Sequence, residues 1–152
     1  MDVAQKTQAE PPAMRDRIQD FEDLLLESPD QIEIPIEQIF WGGMYVRYGT
    51  LKQGTMAAGH IHKHPCITFV MSGEIDFVSE EGCRKIIGPA IFKTPAGAKR
   101  AVRAVTDVYL ATVHAHEGAE RDAESMLALL TVPSYDQLES HSKTPARSDS
   151  CS

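Results

Sequence analysis

The sequence predicts a mainly β domain, a sandwich or small barrel, with a short helix at each end. Three observations carry this. Between residues 31 and 116, short β-rich runs alternate with Gly, Pro and Glu turns at a spacing of roughly 8–12 residues, the rhythm of a sandwich or barrel. Before them, Met14, Ile18, Phe21 and Leu25 recur at helical spacing. After Glu117 the composition turns helical, with Met126, Leu127, Leu129 and Leu130 in one run.

Taken in order, residues 1–13 are polar and end in Pro11-Pro12, so 1–30 reads as a flexible N-terminus with a helix over about 14–27. Ser28-Pro29-Asp30 stops that helix, which is read as a lid or strap, or else a dimer contact. The barrel is assigned to 31–117. Its expected strands are 31–37, 43–51, 59–71, 74–78, 84–87, 90–93, 101–105 and 108–116. Glu80-Glu81-Gly82 reads as a hairpin turn, with glycine supplying positive φ. Residues 118–140 form a helical extension. Ser134 with Gln137 marks a last helix over about 135–139. The Ser-rich stretch 141–152 reads as a disordered tail.

The chain has 152 residues, enough to bury a core without a staple. Its net charge of −7 argues against general binding to nucleic acid or an anionic membrane. Cys66, Cys83 and Cys151 are too few and odd in number for a disulfide framework. No apolar signal segment precedes Gln31, so a cytoplasmic location is expected.

Five of the six histidines fall in His60-Ile61-His62-Lys63-His64 and His114-Ala115-His116. Side chains alternate along a strand, so His60, His62 and His64 would share one face, and His114 and His116 another. Neutral imidazoles gathered this way suit a first-row divalent ion. The plain alternatives are a solvent-exposed face or a hydrogen-bonded polar pocket for an organic ligand. Cys66 lies on the face of His62 and His64, where it is either a thiolate ligand or a small buried hydrophobe.

These segments resemble the cupin superfamily, over about residues 41–116. His60-Ile61-His62 fills the His-x-His of the first cupin motif and Gly73 its closing glycine, with Cys66 where glutamate is usual. Gly88 and Pro95-Ala96-Gly97 fit the second motif with one extra residue in the spacer, and Arg100 stands at its histidine. The resemblance implies a double-stranded β-helix, or cupin jelly roll. It also implies a divalent metal (Fe, Mn, Ni or Zn), for which His60, His62, His64 and His114 are the candidate ligands. The runs Tyr45-Val46-Arg47, Pro95-Ala96-Gly97-Ala98-Lys99-Arg100 and Thr112-Val113-His114 look like small cupins of tailed bacteriophages and prophages. Cys66, Arg47 and the stretch Thr112 to His116 are also loosely similar to thiol dioxygenases. Arg100 departs from those, because a guanidinium does not serve as a metal ligand.

Arg100 instead suits a carboxylate or phosphate, or an ion pair with Glu74 or Asp76. Lys99 should point to the opposite face. The candidate ligand-binding residues are therefore Arg100, Arg47, Cys66 and His116. The functional expectation is a small-molecule-binding barrel with a metal and an anionic ligand, and any enzymatic role would be a metal-dependent oxidoreductase or hydrolase. The alternatives are a non-catalytic phage protein that sequesters a small anionic metabolite or nucleotide signal, and a structural scaffold. A homodimer or higher homo-oligomer is expected, with the alternating isoleucines of 31–36 as edge cover.

Overall fold

The computed structural model describes residues 13–119, 122–133 and 135–142, without the side chains of 139–142. Residues 1–12, expected to be flexible, together with Ser134, Cys151 and the expected tail from 143, lie outside the described residues. Helix α1 (Met14–Glu27) leads into β1 (Ile36–Trp41), β2 (Met44–Leu51), β3 (Met56–Ala58), β4 (Ile61–His62) and β5 (Cys66–Ser72). Then come β6 (Glu74–Ser79), β7 (Gly82–Ile87), β8 (Ala90–Thr94), β9 (Ala101–Ala104) and β10 (Val108–Ala115). Helix α2 (Ala123–Leu130), the short β11 (Thr131–Val132) and α3 (Tyr135–Ser142) follow. No described helix is long and apolar enough to cross a membrane.

Two antiparallel sheets face each other, in the orders β1-β2-β10-β5-β8 and β3-β9-β6-β7, and β11 pairs with β4 at one end. The predicted hairpin turn joins β6 to β7, with Gly82 at φ 117°. Gly73 joins β5 to β6 at φ 90°, and a Cβ there would meet the Asp107 carbonyl oxygen at 2.1 Å. Only glycine fits so tight a turn.

Two strand expectations and one helix end change. Residues 31–35 are not strand; pairing begins at Ile36, and Ile34 packs against the core instead. The expected strand 59–71 is broken into β4 and β5 by a bend at Lys63 and His64, ahead of Pro65. The last helix runs to Ser142, beyond its expected end.

Inward positions change character along the barrel. At one end Leu51, Val70, Ile75, Phe77, Ile86 and Val108 form an apolar core. Toward the other end the same strands present Arg47 and Tyr45, Thr68 and Cys66, and Thr112 and His114. Met126 and Leu130 of α2 pack on Tyr45 there and cap the polar end. Outside, Ile39, Trp41, Met44, Ile67, Ile91 and Tyr109 are exposed on the larger sheet.

Helix α1 straps the smaller sheet, touching β3, β6 and β9. Its predicted face is correct, and Ile18 is 2% exposed. That face also carries Glu22, which is ion-paired with the fully buried Lys99. Lys99→Met would strand a buried carboxylate and cost about 3–5 kcal/mol. Urea denaturation should show that loss, and the double change Glu22→Leu with Lys99→Met should recover most of it. A single-variant loss below about 1 kcal/mol would contradict a pair that pins the helix.

Candidate functional site

The polar end holds a cavity of about 150 Å³ lined by Tyr45, Arg47, His62, Arg100, Thr112 and His114, with α2 as its lid. His62 is placed by the backbone on both sides. It pairs with Thr131 of β11, accepts from Gly97 N–H at 2.7 Å and donates to the Ala98 carbonyl at 3.1 Å. The motif turn Pro95-Ala96-Gly97 therefore fixes the histidine strand, with Gly97 at φ 83°.

His114, on β10, stacks on His62 with centroids 6.0 Å apart and rings 12° from parallel. Cys66 Sγ lies 3.8 Å from His62 Nδ1. Arg100 reaches inward: Nη1 donates to Thr68 Oγ1 at 3.2 Å, and Nη2 lies 3.2 Å from His62 Nε2. Lys99 turns the other way, toward α1, as expected. The expected ion pair of Arg100 with Glu74 or Asp76 does not form, because Glu74 pairs with Lys85 and Asp76 with Arg103.

The histidines divide. His60 precedes the two-residue β4 and sits by Thr131, with Nδ1 3.4 Å from its hydroxyl. His64 falls in the bend and is exposed. Strand alternation requires an unbroken strand, so the three do not share a face. His116 lies past the end of β10, buried against Phe40, with its N–H bonded to the Gly43 carbonyl. His114 and His116 thus part company. Sequence reasoning missed Thr68 and the capping role of Met126 and Leu130 over the cavity, since their places depend on distant partners.

No family model and no curated protein sequence matches this chain. Solved structures do. A cupin superfamily protein from Desulfitobacterium hafniense aligns with a TM-score of 0.50 at 8% identity, over 77% of this chain and 100% of its own. The fold is that of the cupins, a double-stranded β-helix. KdgF from Halomonas sp. also aligns, with a TM-score of 0.50 at 13% identity, over 60% of this chain and 87% of its own. At such identities the likeness is one of fold, and the function has to be argued from the site.

Cupin barrels raise the question of a metal. Among the described residues, His62, Cys66 and His114 are the group that could hold one, with ligand atoms all within 4.8 Å of one another. Neither His60 nor His64 belongs to it. The spacing suits one first-row ion, but the hydrogen bonding does not. Arginine only donates, so His62 Nε2 must accept, and the ring proton then sits on Nδ1, facing Cys66. Both ring nitrogens are thereby engaged. Burial also pushes the Cys66 thiol up, away from the thiolate a metal needs. As arranged, the three residues do not fit a metal while Arg100 stays on His62.

Burial, then the charges of Arg100, His114 and Arg47, lowers the His62 pKa to about 3. Burial, then Arg47, Arg100 and His64, lowers that of His114 to about 4. Both rings are neutral at pH 7. The unfolded chain takes up these protons near pH 6.5, whereas the folded one waits until about 4 and about 3. Stability from this pair is full above about 6.5 and lost as pH falls toward 3. Ordinary carboxylates titrate near pH 4, below the window between pH 7 and 5. The urea midpoint of the metal-free protein should therefore fall between pH 7 and 5, and fall less in His62→Gln. Identical slopes in the two proteins would contradict the depressed histidines.

Proposed function

We propose that this cupin barrel binds a small anionic molecule, with Arg100 and Arg47 holding its carboxylate or phosphate group. One observation carries the reading. Five described cations, Arg15, Lys52, Lys85, Lys99 and Arg103, are paired with carboxylates. Arg47 and Arg100 line the cavity, and among the described residues neither has a carboxylate within ion-pair distance. The chain carries a net charge of −7, so acidic side chains are not scarce.

A half-buried guanidinium without a counter-charge costs free energy. Hydrogen bonds to Thr68 and His62 offset part of that, and an anion accepting two parallel bonds would offset more. The cavity of about 150 Å³ has room for roughly five waters, or for one such group with a short body. Neutral His62 and His114, Tyr45 and Thr112 supply further polar contacts on its wall. This reading asks for stoichiometric binding and needs no turnover.

Isothermal titration with inorganic phosphate and with short carboxylates tests it. Arg100→Gln should weaken binding about tenfold to a hundredfold, the range for a hydrogen bond to a charged group. Equal affinity in the variant, or no binding to the native protein, would sink the reading.

A metal-dependent barrel is the second reading, favoured by the grouping of His62, Cys66 and His114. Elemental analysis decides it: about one equivalent of Fe, Mn, Ni or Zn, absent from Cys66→Ser, would establish a metal site that displaces Arg100.

A further inference from the structure

Arg100 is also a wall of a second cavity. On its far side lies a space of about 220 Å³, whose lining includes Phe77, Arg84, Phe92, Thr94 and Arg100 and also Glu80 and Glu81. Arg84 is the register partner of Phe77 across β6 and β7, so it lies on the same face of the sheet, and it remains exposed at the mouth of this space. Phe77 and Phe92 meet edge-to-face at 5.4 Å. The two guanidiniums share this ring pair: Arg84 lies 5.4 and 5.1 Å from the two centroids, and Arg100 lies 5.4 and 6.0 Å from them.

We propose that the Arg84–Arg100 cavity is a second anion subsite, so that the ligand is a small dianion with one acidic group on each side of Arg100. The inference rests on the anion-binding reading above and specifies its ligand class. Two cations held over the same rings repel each other, and among the described residues Arg84 has no carboxylate partner either. Ring contacts of this kind hold a guanidinium in place without neutralising it. An anion between them removes the repulsion and accepts from both. Of the two lining carboxylates, Glu80 is already engaged, by Arg15 at 3.3 Å and by the Tyr135 hydroxyl at 2.9 Å. The fully buried Thr94, bonded to Thr68 at 2.8 Å, links the wall of the second cavity to the residue that holds Arg100 in the first.

Titration of the full chain with the linear dicarboxylates from malonate to suberate, with pyrophosphate, and with monocarboxylates of matched length tests this at constant ionic strength. At least one dianion should bind tenfold or more tightly than its monoanion counterpart. Arg84→Gln should remove that advantage and leave monocarboxylate affinity unchanged, and Arg84→Lys should keep part of it. A dianion advantage that survives Arg84→Gln overturns the second subsite. So does the absence of any advantage while monoanions still bind through Arg100, a result that spares the first reading. If neither class binds, both fall together.

Discussion

Lys99 and Arg100 are neighbours that point to opposite sides of the barrel wall, and the arrangement of the molecule turns on that opposition. Lys99 runs outward into an ion pair with Glu22 and pins α1 across the smaller sheet. Arg100 runs inward to Thr68 and His62. The Pro95-Ala96-Gly97 turn just before them bonds to the backbone of His62, so strap, turn and histidine strand are set by one short segment. A buried ion pair is a weak source of net stability but punishes the loss of either partner. Here its consequence is geometric, since it commits Lys99 outward and leaves Arg100 the interior.

The interior then has an unusual electrostatic character for an acidic protein. His62 and His114 are held neutral, the Cys66 thiol is held protonated, and the inward arginines lack carboxylates among the described residues. The histidine and thiol states follow from burial at this end of the barrel, whereas Arg47 is exposed there. Together they make a cavity that disfavours added positive charge and favours negative charge. That explains why a cluster with metal-like spacing is poorly disposed toward a dication as it stands.

Much of the fold was legible because strand rhythm and helical spacing are local signals. The apolar face of α1, the hairpin at Gly82 and the opposite directions of Lys99 and Arg100 all came from short-range pattern. What failed depended on distant contacts. Strand β4 pairs with β11 and ends at His62, and the chain bends at Lys63 and His64 ahead of Pro65, so His60 and His64 left the face that alternation assigned them. Strands β3 and β11, of three and two residues, are too short to show a period. Glu22 gave no sign of burial, because its partner lies 77 residues away. Arg84 gained its place from Phe92, on a strand with which β7 does not pair.

The hydrogen bond from Arg100 to His62 is the point at which these arguments meet. Nitrogen-15 NMR of imidazole-labelled, metal-free protein reads it directly. The account predicts a His62 ring that stays neutral from pH 7 to 5, with its proton on Nδ1 and an unprotonated Nε2 accepting from Arg100. A proton on Nε2, or a ring titrating near its ordinary value of about 6.5, would contradict it.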